Sequence, residues 1–289
     1  MFIATLIAAD RLGRGDISAA ADALGGVAET LWLEEGSACD LVLPGDPGAA
    51  RLRLEGAFAG VDVVVQPQAR RRKQLLAADM DSTMIAVECI DELADFAGVK
   101  AEVAAVTARA MNGELDFEAA LDARVALLAG LDEAMLDRCR EERVRLNPGA
   151  RTLVATMRGH GAYTLLVSGG FTRFAEPIAA AIGFDESASN ELILADSRLT
   201  GTVAKPIVDA DGKRQAMARV AARRGIDLAD ALAVGDGAND IPMIEAAGLG
   251  VAFHARPAVA ARSDARIDAN DLTALLFAQG YPRKEWVER

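Results

Sequence analysis

A chain of 289 residues holds about two domains at a typical ~150 residues each, and its 52% apolar content excludes global disorder. Lys and Arg number 31 against 43 Asp and Glu, a net charge of −12 that excludes broad nucleic-acid binding and adhesion to anionic membranes, both of which need a positive footprint. Cys39, Cys89 and Cys139 lie too far apart for a disulfide framework or a zinc site, and His160 and His254 are the only histidines. Any metal is therefore expected to be hard and oxygen-ligated.

No basic region precedes the apolar residues 2–9, and no stretch approaches the roughly 18 apolar residues of a membrane span. Neither a secretory leader nor a membrane anchor is expected, and the cytoplasm is the expected compartment. Residues 2–9 read as a strand and 17–24 as a helix capped by Asp16. Residues 28–33 and 39–43 read as strands joined by a turn, 46–55 as a second helix and 61–65 as a last strand. The order β-α-β-β-α-β predicts a small α+β ferredoxin-like unit over residues 1–72, without a catalytic cluster. Arg70, Arg71, Arg72 and Lys73 are expected to be a solvated linker.

Beyond the linker the pattern changes. Residues 75–80, 163–167 and 231–234 are short apolar runs that open into carboxylates, Ser168-Gly169-Gly170 and Gly235-Asp236-Gly237. Strand, polar loop and helix in repetition predict an α/β domain over 73–289, with a doubly wound, Rossmann-like parallel sheet whose ligands sit beyond the strand ends. The interval after the first run is too long for a bare connection and rich in helix formers: 89–96, 101–111, 117–128 and 133–142. A helical cap over about residues 88–147 is expected, and 192–195 with 199–203 suggest a hairpin.

Asp79 and Asp81 stand two apart, so on a strand both carboxylates face one side. Such a pair repels, and a divalent cation relieves it; a helix cap with a solvated turn explains the pair alone about as well. Asp236 adds a third carboxylate at another strand edge, among glycines that permit close backbone approach, and magnesium suits that histidine-free set. Ser168 and the Gly169 and Gly170 amides offer donors where an anion would lie. Lys205 can add a point charge, although by itself it reads as a surface lysine.

Asp79-Met80-Asp81-Ser82-Thr83, Ser168-Gly169-Gly170, Lys205 and Gly235-Asp236-Gly237-Ala238-Asn239-Asp240 together resemble the four ordered motifs of the haloacid dehalogenase-like superfamily, in its phosphatase form. Glu88, Met111-Asn112-Gly113, Phe117 and the segment opened by Arg124 narrow the resemblance to the phosphoserine phosphatase family, and residues 1–72 resemble an ACT domain. The resemblance implies hydrolysis of O-phospho-L-serine to L-serine, the last step of serine biosynthesis. It makes Asp79 the nucleophile and Asp81 the general acid and base. It implies Mg2+ held by Asp79, Asp81 (through its main-chain carbonyl) and Asp236, with Asp240 and Gly170 in support. Ser168, Gly169, Lys205 and Asn239 would hold the phosphoryl group, Glu88 the ammonium, Arg124 the carboxylate, and Met111 and Phe117 apolar surface over the substrate. Phosphothreonine or homoserine phosphate remains open as the substrate, and so does an amino-acid-sensing protein. An amino-acid effector and a homodimer through residues 1–72 also remain open; no nucleic-acid or membrane partner is expected.

Overall fold

Side chains alternate along Phe2–Ala8 (β1), Ala4 and Leu6 to one face and Ile3, Thr5 and Ile7 to the other, and both faces are buried. In the computed structural model, which describes residues 1–44 and 47–288, β1 is followed by α1 (Arg14–Ala23), β2 (Glu29–Glu34), β3 (Ala38–Leu43), α2 (Pro47–Leu54) and β4 (Val61–Pro67). The antiparallel sheet has the order β2-β3-β1-β4, the ferredoxin-like arrangement that the element order implies. Asp16 lies inside the first turn of α1 rather than before it, and its carboxylate accepts from the Gly13 amide at 2.8 Å. The expected start of the second helix at Asp46 falls outside the described residues.

A second, parallel sheet has the order β12-β11-β10-β5-β6-β7. Its strands are β5 (Leu75–Ala78), β6 (Tyr163–Phe171), β7 (Glu186–Asn190), β10 (Ala231–Gly235), β11 (Leu249–Phe253) and β12 (Ala265–Ile267). Leu75, Leu76, Ala77 and Ala78 are inaccessible to solvent, as a strand covered on both faces requires. From β5 the chain builds outward through β6 to β7, then crosses to β10 on the opposite side of β5. The crevice at the strand ends beside β5 is thus the switch point where such sheets bind ligands.

Between β5 and β6 come α3 (Cys89–Ala97), α4 (Lys100–Met111), α5 (Phe117–Ala126), α6 (Glu133–Arg143) and α7 (Ala150–Gly159). Their ends are marked in the sequence: Gly98 takes the left-handed conformation that closes α3, and Asp116 and Asp132 cap α5 and α6. The helix α8 (Thr172–Ile182) follows β6. The expected hairpin forms as β8 (Leu192–Ala195) and β9 (Arg198–Val203). It packs on the cap, where Gly201 passes so close to Ala129 that a Cβ at Gly201 would lie 2.9 Å from the Ala129 methyl. The fold is completed by α9 (Ala210–Arg224), α10 (Ile241–Ala246), α11 (Pro257–Ala260) and α12 (Ala274–Ala278). No helix among the described residues is long and apolar enough to cross a membrane.

The basic run at 70–73 is not a solvated linker throughout. Arg71 forks onto both Asp40 carboxylate oxygens at 2.6 Å and donates to Thr5 Oγ1 and to the carbonyls of Phe277 and Ala278. Lys73 is 6% exposed and donates to the Ala229 carbonyl at 2.9 Å. Asp62 accepts from the amides of Asp268, Ala269 and Asn270. The second face of the antiparallel sheet is therefore bolted to the larger domain by charge-assisted hydrogen bonds.

Candidate active site

Asp79 follows β5 directly, and its amide donates to the Val234 carbonyl of β10 at 2.9 Å, which places it in the switch-point crevice. The chain then turns sharply through residues 80–84, with Ser82 at φ 56°, a conformation that L-residues adopt at a cost. This turn swings Asp81 back over the strand ends. Its Oδ1 accepts from the Cys89 amide at 2.9 Å and its Oδ2 from Ser168 Oγ at 3.2 Å. Asn147 fastens the turn from outside, donating to the carbonyls of Thr83 and Ile85.

Asp236 leaves the end of β10 and accepts from Thr83 Oγ1 at 3.1 Å. Asp240 lies beneath, receiving the Gly237 amide at 3.0 Å; a Cβ on Gly235 would meet its carboxyl at 2.4 Å, so that position must be glycine. One oxygen each from Asp79, Asp236 and Asp240 lie within 4.8 Å of one another. An all-oxygen donor set of this kind, two of its carboxylates buried and Asp236 half-buried, fits a hard divalent cation.

The lysine of this cluster is Lys213, not Lys205. Lys213 Nζ donates to Asp79 Oδ1 at 2.5 Å and to Asp240 Oδ1 at 2.6 Å, and the residue is fully buried. Lys205 lies outside, paired with Glu118 at 2.7 Å and Asp122 at 3.1 Å on the cap. The signal for Lys213 was its place on α9: it shares the buried stripe of Ala216, Met217, Val220 and Ala221, where a lysine has no business without carboxylate partners.

Burial and neighbouring carboxylates raise the buried acids together, but oppose one another at the lysine. Burial, then the proximity of Asp240, holds the Asp79 carboxyl well above the usual range. Burial also raises Asp81, and it lifts Asp236 to about 6 with help from Asp240. For Lys213 burial opposes the charge, but Asp240 and Asp79 outweigh it and keep the ammonium protonated.

Above the carboxylates a cavity of about 650 Å³ separates the strand ends from the cap. Ser168, Gly169 and Gly170 form one wall; the Gly170 amide donates to Ser168 Oγ at 2.8 Å, and Asn190 anchors the Gly169 carbonyl. A Cβ at Gly170 would stand 2.9 Å from Asp81 Oδ2, and one at Gly169 would stand 3.1 Å from the Phe117 ring, which reaches down from the cap. Asn239 lines the opposite wall.

Glu88 and Arg124 project into the same cavity from α3 and α5. Glu88 precedes α3 without capping it; its carboxylate takes the Ser82 hydroxyl at 2.6 Å, and burial, then Asp81, pushes its pKa up to about 7. Among the described residues Arg124 forms no ion pair, and Glu118 and Asp122 are held by Lys205; its guanidinium donates to the Ala120 carbonyl at 3.2 Å. Met111 is not brought to the site: it ends α4 with 64% of its surface exposed, one turn beyond the helical stretch that faces the cavity. Apart from Met111 and Lys205, the residues assigned to the site from the sequence line the cavity or, as Asp240 does, support it from below.

A family model described as haloacid dehalogenase-like hydrolase matches residues 76–245. The chain is similar to a phosphoserine phosphatase of Streptomyces coelicolor, 46% identical over 83% of this chain and 59% of that one. It is also similar to one of Albidiferax ferrireducens, 46% identical over 70% of this chain and 88% of that one. A crystal structure of a HAD family hydrolase from Salmonella enterica serovar Typhi superposes with a TM-score of 0.87 at 31% identity, covering 96% of this chain and 98% of that one. The chain spans 59 to 66% of the length of several curated relatives, the Streptomyces protein among them.

Proposed function

Because this chain belongs to the haloacid dehalogenase-like hydrolases and, within them, to the phosphoserine phosphatase family, we propose that it hydrolyses O-phospho-L-serine to L-serine and phosphate with Mg2+ as cofactor. One observation carries this reading. A single cavity holds the Asp79–Asp81 pair at its floor and, in its cap wall, a carboxylate and a guanidinium of opposite charge, Glu88 and Arg124. A phosphomonoester that also bears an ammonium and a carboxylate matches that distribution group for group.

Asp79 Oδ attacks phosphorus, forming an aspartyl-phosphate as the ester P–O bond breaks. Asp81, whose carboxyl burial shifts upward, gives a proton to the departing serine oxygen; it then takes one from the water that attacks phosphorus as the bond to Asp79 breaks. Ser168 Oγ, itself held by the Gly170 amide, and the Gly169 amide hold the phosphoryl oxygens with Asn239, while Lys213 fixes the nucleophile and supplies a buried positive charge. The carboxylates of Asp79 and Asp236, with the Asp81 main-chain oxygen, would hold Mg2+, whose charge when bound lowers the repulsion between nucleophile and substrate. Phe117 and the cap helices exclude water.

The carboxy-terminal domain is read as residues 73–289 with its cap at about 88–147, and residues 1–72 as an ACT-like unit able to bind an amino-acid effector and to pair two subunits. The compartment proposed is the cytoplasm. Steady-state phosphate release from both enantiomers of phosphoserine, phosphothreonine, homoserine phosphate and an aryl phosphate tests the reading. A preference in kcat/KM for L-phosphoserine that disappears with chelator is expected. Equal turnover of all five, or turnover indifferent to chelator, would contradict the substrate or the cofactor respectively.

A further inference from the structure

The core wall of the cavity carries a cation that none of these steps uses. Arg256 follows β11 and stands immediately before Pro257, the first residue of α11. Its side chain lines the cavity beside Asn239 and Val259, yet it is exposed to solvent at the mouth. Among the described residues no carboxylate lies within ion-pairing distance of its guanidinium, and no acceptor receives a hydrogen bond from it. The other cations near the cavity are committed. Lys213 is spent on Asp79 and Asp240, Lys205 on Glu118 and Asp122, and Arg124 is held in the cap by Ala120.

The surroundings make an uncommitted cation consequential. Carboxylates of Asp79, Asp81, Glu88, Asp91 and Asp236 line this cavity, in a chain of net charge −12. A phosphate dianion entering from water meets that field before it reaches the Ser168–Gly170 donors or the charge of Lys213 deep below. A guanidinium placed at the mouth offsets the repulsion and presents a planar fork of donors to phosphate oxygens.

We propose that Arg256 is a binding residue for the phosphate end of the substrate, engaging it at the cavity mouth on entry and engaging inorganic phosphate on exit. The inference rests on the phosphomonoesterase reading above. It assigns Arg256 to capture rather than to chemistry, so its contribution lies in KM and in the affinity for free phosphate, and it is screened by salt. A unit positive charge about 8 Å from a dianion in water-like surroundings changes the encounter population about fivefold before screening.

The test is steady-state hydrolysis of L-phosphoserine, with competitive inhibition by inorganic phosphate, for wild type, Arg256→Gln and Arg256→Lys. Each is measured from about 0.02 M to about 0.5 M salt, a range over which the Debye length shrinks severalfold. Arg256→Gln is expected to lower kcat/KM and phosphate affinity about fivefold at the low end, with kcat within twofold, and to converge on wild type at the high end. Arg256→Lys keeps most of the effect. A loss that is equal at every salt concentration, a loss confined to kcat, or no loss at low salt would overturn the assignment. Calorimetric binding of inorganic phosphate to the same proteins separates the two readings. If wild type hydrolyses no phosphoserine while Arg256→Gln still weakens phosphate binding, the proposed substrate fails and Arg256 does not.

Discussion

Replacing Lys213 by methionine removes a positive charge that the structure buries among the carboxylates. The ammonium touches Asp79 and Asp240 at 2.5 and 2.6 Å, and the side chains involved are 1%, 7% and 0% exposed. Breaking a buried ion pair by deleting one partner costs about 3–5 kcal/mol, a large share of the 5–15 kcal/mol that usually stabilises a domain. The stranded charge is relieved by proton uptake. Asp79, already raised by burial and by Asp240, rises further, so the native state binds a proton that the unfolded chain has released. Stability in that window falls as pH rises, so the deficit of Lys213→Met is larger at pH 8 than at pH 5. A protonated Asp79 is no nucleophile, and kcat is expected to fall at least 100-fold. Urea unfolding at the two pH values, alongside phosphate release, measures both effects. In Lys213→Met/Asp240→Asn, with one carboxylate neutralised, much of the stability returns and the activity does not. A loss below about 1 kcal/mol at pH 8, together with more than a tenth of wild-type kcat, would refute the reasoning.

Neutralising Glu88 or Arg124 to glutamine is expected to lower kcat/KM for L-phosphoserine about 10- to 100-fold, the worth of a charged hydrogen bond, while an aryl phosphate changes less than about threefold. Because Glu88 titrates at about 7, its attraction for the substrate ammonium is lost as pH falls through that value. KM for phosphoserine should therefore rise toward acid relative to KM for the aryl phosphate, a difference absent in Glu88→Gln. Gly170→Ala forces a methyl to within 2.9 Å of Asp81 Oδ2 and should cut kcat more than tenfold, with a stability loss of about 1–3 kcal/mol by denaturant melts. Arg71→Met leaves Asp40 buried without its fork and should destabilise the fold by about 3–5 kcal/mol in thermal or urea unfolding, with little change in kcat of the folded enzyme.

Local signals made most of this molecule legible in its sequence. Apolar runs ending in Asp79, Ser168 and Asp236 located three parallel strands, and helix formers broken at Asn112-Gly113, Asp116 and Gly130 located the cap helices to within a residue or two. Long-range choices were harder to read. Lys205 follows β9 and Lys213 stands in the first turn of α9, and only the helical phase of α9 distinguishes a lysine aimed into the core from one aimed at the cap. Met111 has the same composition whether it lies in a seam or beyond one; the last turn of α4 carries it outside. The basic run at 70–73 looked like a solvated linker because its acceptors, Asp40, Thr5 and the carbonyls after Leu276, are far away in sequence. Arg256 drew no attention as a single residue, since its significance comes from the carboxylates that the fold gathers opposite it.

The central claim is that Asp79 takes the phosphoryl group. Mixing enzyme with phosphorus-labelled L-phosphoserine, quenching in acid within the first turnover and mapping the labelled peptide tests it most directly. The account predicts a base-labile acyl-phosphate on the peptide containing Asp79, absent in Asp79→Asn and released to phosphate when the wild-type reaction is allowed to proceed. Turnover of phosphoserine with no covalent label at any time, or a label on another residue, would contradict it.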